Sequence, residues 1–418
     1  MAIITYEGFE NYSSFDAVKS YLNYTNLGTM SFISSTDGNS VTPRNGGSCI
    51  KFVSSGITYP KVLISSPNNT NTSSGVFGFS WYNLLPANGS WGTFTPICGL
   101  IDPSGIAHFY VGINSNGNLI IRRQNSNSFN IGVGGGIASV NMNTLEWNNA
   151  TAIPYNCGDE CSYYYPNSDL ANSTLTTLLA TSNDLATLNA WNYIEVKYLL
   201  STSSTGYVQL KLNRNANDTT LSINAQNIQT TARSNTNSRS LVFGIFGSDT
   251  ARVYTSYFDD IYWADLTGTN NDFLGRVNCK KFSYNEVASY DMTTPANSST
   301  ALSNFNETYS GISTISTRNI GNVVGQTLDV KSNGVGNETL SPIFVRQYVH
   351  GYKTEVNSDI ALGATNGADN IAVTGVGFNN DSINGTLKFR DYDNAPDGAE
   401  WTNQKIADTT FKNTIVAI

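Results

Sequence analysis

Between residues 191 and 275 apolar and polar side chains alternate in stretch after stretch, and this period of two constrains the fold more than any other feature of the chain. Residues 191–198, 207–213 and 257–263 each run six to eight positions in this way between turn formers. Side chains on a strand point to opposite faces in turn, so Ile194, Val196 and Tyr198 share one face and Tyr193, Glu195 and Lys197 the other. The expectation is an antiparallel sheet with one face packed and one face wet. The Ser/Thr-rich turn onto Gly206 folds the next strand back on the first. Trp191, Val196, Leu210 and Ile261 are the expected core residues.

The same grammar recurs along the first 268 residues. A Gly-rich turn at residues 44–47 leads into an alternating run from Cys49, and residues 74–82 carry Val76, Phe77, Phe79 and Trp81. Residues 106–113 and 118–122 flank Asn114-Ser115-Asn116-Gly117, whose Asn-Gly pair accepts the positive φ of a tight hairpin. Turn signals at this spacing predict an all-β sandwich rather than a helical or α/β fold. Residues 132–190 break the pattern with a Gly run, a Cys157/Cys161 pair and Tyr163-Tyr164-Tyr165. They read as a long insertion loop with one short helix between Leu170 and Leu188. Beyond residue 268 a second, smaller β-rich domain is expected over 269–418, with strands near 340–350 and 385–391. It ends in an apolar stretch, Ile415-Val416-Ala417-Ile418, which belongs in a sheet or against a neighbour.

Composition narrows the function classes. Charged residues make up 13% of the 418, aromatics 11%, and the formal net charge is −8, so the basic footprint of a nucleic-acid or anionic-lipid binder is missing. The start of the chain has no basic region followed by a long apolar run, and no stretch is apolar enough to span a bilayer, so neither secretion nor membrane insertion is expected. With two histidines, His108 and His350, a His-based triad or His-rich metal site is not expected. Cys49, Cys98 and Cys279 sit in apolar runs as small core residues. The adjacent Asp259 and Asp260 point to opposite faces of a strand and do not form an acid and base on one sugar. Asp259 is the candidate for Ca²⁺, and Asp391, Asp393 and Asp397 form a second acidic loop without EF-hand spacing. No cofactor is otherwise expected. Tyr163, Tyr164 and Tyr165 suit either stacking on sugar rings or anchoring a protein interface.

The order of these landmarks resembles that of tailed-bacteriophage virion proteins whose front half is a concanavalin-A-like (LamG-like) β-sandwich, or jelly roll. The resemblance rests on Gly8-Phe9-Glu10-Asn11-Tyr12, the turn at 44–47, the strand at 191–196, the Gly206 hairpin with Asn213, and Asp259-Asp260-Ile261-Tyr262 before Leu274-Gly275. Trp401-Thr402 with Phe411 closes it. Where that pattern opens with Asp-Gly-Phe-Asp, this chain has Glu7 and Glu10, and the 132–190 insertion has no counterpart. The resemblance implies a non-enzymatic structural protein of the virion, tail or fibre-associated or decorating the capsid, assembled in the host cytoplasm. Its implied partners are copies of itself and other virion proteins; the insertion loop with Tyr163, Tyr164 and Tyr165 and the apolar end with Ile415, Val416 and Ile418 read from their own residues as the contact surface. The competing reading from the same fold class is a carbohydrate-binding adsorption protein or glycan depolymerase, with a host surface glycan as partner.

Overall fold

In the computed structural model the chain is all-β. The structure describes residues 3–9, 23–25, 29–44, 47–55, 61–65, 71–86, 89, 91–103, 106–125, 176–244, 253–267, 271–279, 284–291, 326–332, 342, 344–351, 358–376 and 386–417. Two compact units emerge, Met1–Glu10 with Leu22–Cys279, and a second that includes Lys280–Ile418. Among the described residues no helix is long and apolar enough to cross a membrane.

The first unit is a sandwich of two antiparallel sheets, as the alternation predicts. Numbered in chain order, one sheet takes β1 (Ile3–Glu7), β3 (Thr29–Ile33), β4 (Cys49–Ser55), β6 (Ser74–Tyr82), β11 (Trp191–Leu199), β12 (Gly206–Leu212), β13 (Ile223–Ile228) and β15 (Val253–Ala264). Their order is β13-β12-β11-β6-β15-β4-β3, with β1 also paired to β15. The other sheet takes β2 (Asn23–Thr25), β5 (Lys61–Ser65), β7 (Thr95–Ile101), β8 (Ala107–Ile113), β9 (Asn118–Gln124), β10 (Thr176–Leu185) and β14 (Ser240–Gly244), ordered β10-β9-β8-β7-β14-β5-β2. The hairpin at 114–117 forms as expected, with Gly117 at φ 86°.

Aromatic rings from the facing strands fill the space between the sheets. Phe79 meets Phe243 at 5.2 Å and Phe243 meets Phe258 at 5.6 Å, both edge-on, the arrangement ring quadrupoles favour. Val196, Leu210 and Ile261 are fully buried, while Trp191 lies on the outer face of its sheet against Tyr82. Polar tips that must enter the core find partners, as Trp263 Nε1 donates to the Tyr198 hydroxyl at 3.0 Å.

Three expectations change here. The outer face of β11 is not wet: Tyr193 and Glu195 are as buried as Ile194 and Val196, because residues 271–279 lie across them. The first unit therefore runs to Cys279 rather than ending near residue 268, held by hydrogen bonds into β11 and β15. The helix expected between Leu170 and Leu188 is instead β10, whose Thr- and Ser-rich run pairs with β9 from Thr176↔Gln124 to Leu185↔Asn118.

The second unit holds β16 (Tyr284–Tyr290), β17 (Leu328–Ser332), β19 (Ser358–Thr365), β20 (Asn370–Gly375) and β22 (Thr410–Ala417) in the order β16-β17-β22-β19-β20. A separate pair joins β18 (Val345–Gly351) to β21 (Thr386–Tyr392). Helix α1 (Asn403–Asp408) starts at Thr402, whose hydroxyl accepts from the Lys405 amide at 3.1 Å. Leu328, Val330, Tyr392, Trp401, Ile406 and Phe411 make its core. The apolar stretch lies within this sheet: Ile415 packs on that core and Val416 pairs with Asp359, while Ile418 lies outside the described residues.

Candidate functional site

Register across four strands builds a single row on the outer face of the first sheet. Trp191 on β11 stands opposite Tyr82 on β6, Tyr82 opposite Tyr257 on β15, and Tyr257 opposite Lys51 on β4. Neighbouring strands lie about 4.8 Å apart, so the row extends roughly 14 Å across the sheet. The rings meet edge to face: Tyr82 is 5.6 Å from Trp191 at 81° and 5.9 Å from Tyr257 at 77°. Trp191 and Tyr82 are partly exposed, whereas Tyr257 is buried. Their polar atoms fix their pose, with Trp191 Nε1 donating to Thr42 O at 3.0 Å and Tyr82 Oη to Asn189 O at 2.8 Å.

The loop before β4 adds an acid to the end of this row. Asp37 Oδ1 accepts from the amides of Asn39 at 2.9 Å and Val41 at 3.1 Å, a tight Asx turn that anchors Val41 in the sheet face. Its other oxygen accepts from Lys51 Nζ and from the Tyr257 hydroxyl, each at 2.7 Å, and Asn39 Nδ2 donates to that hydroxyl at 2.6 Å. Burial works against the Asp37 charge, but the bonds from Lys51, Tyr257, Val41 and Asn39 outweigh it and hold the carboxyl below the ordinary aspartate value. Burial pushes the Tyr257 phenol well above its ordinary value, and the charge on Asp37 adds to this. An ionised proton acceptor and a neutral proton donor thus sit in contact beside a cation, at the end of an aromatic platform.

Farther along the same strands a second polar group is buried. Glu195, Gly78 and Tyr262 are in register, and Glu195 also faces Lys211. Glu195 Oε1 accepts from Tyr262 Oη at 2.6 Å and from the amides of Leu274 and Gly275 at 2.8 and 2.9 Å. Burial raises its carboxyl to about 7 against these bonds. In the other half of the unit His108 is enclosed, its ring nitrogens 2.9 Å from Thr231 Oγ1 and 3.0 Å from Asn237 O. Burial lowers its value to about 4.

The residues singled out from sequence are scattered. Tyr163, Tyr164, Tyr165, Cys157 and Cys161 lie outside the described residues. Asp259 Oδ1 accepts from the Asp260 amide, and Asp260 binds Arg44 at 2.7 Å. Asp391 is paired with Arg346, and Asp397 with Lys405. Among the described residues no three His, Cys, Asp or Glu side chains come together as a metal site. The row itself was missed because its members come from four separate parts of the chain. The available signal is the outward aromatics Tyr82, Trp191 and Tyr257 on β6, β11 and β15, which no single strand marks as a row.

No protein-family profile and no curated protein matches the chain. Solved structures do. They include an endo-β-1,4-glucuronan lyase from the fungus Trichoderma reesei, 12% identical over 63% of this chain and 95% of that one, with a TM-score of 0.38. An alginate lyase from Aplysia kurodai is 11% identical over 63% and 99% of the two chains, with a TM-score of 0.37. A carbohydrate esterase from the Shiga toxin-encoding bacteriophage phi24B is 11% identical over 63% and 97%, at 0.32. By name these are two lyases and a carbohydrate esterase and none is a virion structural protein, so the expectation of a non-enzymatic structural protein of the virion is not met.

Proposed function

We propose that the first unit is a carbohydrate-active module that binds a glycan along the row Trp191, Tyr82, Tyr257 and Lys51 and cleaves it beside Tyr257. The observation that carries this reading is the row itself: the partly exposed Trp191 and Tyr82 rings aligned across adjacent strands beside the buried Tyr257, ending at the hydrogen-bonded Asp37, Tyr257 and Lys51. Sugar rings present C–H faces that pack on aromatic rings, and their hydroxyls suit the Asp37 and Asn39 side chains. A phenol kept protonated beside a carboxylate kept ionised supplies both halves of general acid–base chemistry. Lys51 is the cation that a uronate carboxylate would meet, so alginate and glucuronan, the polymers for which the similar lyases are named, are the first to try.

The test sets purified protein against alginate, glucuronan and a neutral glucan, following retention in glycan-loaded native gels, near-ultraviolet absorbance of unsaturated ends, and new reducing ends. Trp191→Ala is expected to weaken retention about tenfold, the loss of roughly one aromatic contact. Tyr257→Phe should keep retention and lose cleavage. Retention unchanged in both Trp191→Ala and Tyr82→Ala, or no glycan bound or cut by the parent protein, overturns the reading.

A further inference from the structure

We propose that residues 271–279 are a pH-governed strap across the outer face of the first sheet, with Glu195 as the group that releases it. Three contacts hold the strap down: the Leu274 and Gly275 amides on Glu195 Oε1, the Cys279 amide on Asp260 Oδ1 at 2.7 Å, and Arg44 Nη1 on Val277 O at 3.0 Å. Gly275 turns at φ 79° so close to the 215–216 turn that a Cβ would stand 2.3 Å from Ala216 N, so the strap is fitted to its bed.

Glu195 differs from the other contacts in its second oxygen. Oε2 is buried without a hydrogen-bond partner in a side chain that is 1% exposed. No described cation on that face hydrogen-bonds to Oε2, although the charge of Lys211, in register with Glu195, favours its ionised form, and Lys51 is paired with Asp37. Lys197 on β11 pairs with Asp272 at 3.2 Å, and Lys211 on β12 donates to Ala216 O at 3.1 Å and lies over the Phe273 ring. Arg44 is bound to Asp260 of β15, and Arg276 of the strap itself donates to Asn213 O at 2.8 Å. The remaining neighbours, Tyr193 and Tyr262, are phenols that burial holds neutral. With a proton on Oε2, Glu195 keeps its three acceptor bonds at Oε1 and buries no charge. Once that proton leaves, a charged oxygen is sealed under the strap with no donor, and opening the strap returns it to water.

The sign follows from the two states. The closed carboxyl titrates near 7 and the opened one near the ordinary glutamate value of 4.5, so opening becomes easier as pH rises between them and levels off above. Release would uncover Tyr193, Glu195 and Tyr262 on the same sheet face as the aromatic row, whichever ligand uses it.

Amide hydrogen exchange on the full chain tests the strap, with rates corrected for intrinsic pH dependence and the β11 amides as the global reference. Protection of Leu274 and Gly275 is expected to fall about tenfold between about pH 6 and about pH 8.5 while staying below that of β11, and Glu195→Gln should abolish the fall. Flat protection in the parent protein overturns the proposal, as does strap protection equal to that of β11 at every pH or a fall that persists in Glu195→Gln. Should the variant fail to fold, the comparison of strap with β11 in the parent protein decides alone.

Discussion

Gly78 shows how one residue can set the character of a whole sheet face. It stands between Glu195 and Tyr262 in register, and a Cβ there would lie 2.3 Å from Tyr262 Cε1 and 2.9 Å from the Tyr193 hydroxyl. The missing side chain is what lets the Tyr262 ring lie across β6 and reach Glu195. Gly78→Ala is therefore expected to destabilise the first unit by about 1–3 kcal/mol, read as a lower urea midpoint, since the tyrosines must move off their positions. In sequence Gly78 is one more small residue in an aromatic strand, and Glu195 is one more outward charge. Nothing within a dozen residues of either reveals that the chain returns some 80 residues after Glu195 to cover them.

At the level of elements, alternation made the strands legible but not their neighbours. The strands β6, β11 and β12 fall where period two puts them, although β11 is packed on both faces rather than one. Pairing is different, because β15 enters between β6 and β4, strands from far earlier in the chain. A bulge in β15 between Asp259 and Tyr262 puts Asp260 at φ 48° and turns its carboxylate to Arg44 and the Cys279 amide, undoing the simple two-sided reading of that acidic pair. The Asp37 site was unreadable for the same reason, joining a loop to β4 and β15. In the second unit β22 is paired on both sides, and Phe411 is its most enclosed aromatic, touching Tyr284 and Tyr392. Phe411→Ala should cost that unit about 3–5 kcal/mol. A thermal scan is expected to show one transition moved down and the sandwich transition unmoved.

For the molecule as a whole, two buried groups oppose each other in their effect on stability. The raised value of Glu195, about 7 against 4.5, means the folded state holds that proton more tightly. Its contribution is complete below about pH 4.5 and is lost as pH rises through about 7. The lowered value of His108, about 4 against 6.5, favours the neutral ring in the fold. That contribution is complete above about pH 6.5 and is lost as pH falls through about 4. Each is worth on the order of 3 kcal/mol, so between about pH 4.5 and 6.5 the slopes nearly cancel. The urea midpoint of the sandwich is expected to vary little across that window. Glu195→Gln should make it climb with pH and His108→Gln should make it descend, and two parallel slopes would refute the pairing.

The places of β15 and β22 also bear on how the molecule reaches its native state in time. Ile3 is paired with Ala264, and β16-β17 shares a sheet with β19-β20 only through β22. Neither assembly can close until a strand distant in sequence arrives, so loop closure precedes most of the reward and high contact order slows folding. During that interval the waiting strands have bare edges that another copy can pair with as readily as the missing strand can. Refolding yield should therefore depend on dilution far more steeply than native stability does.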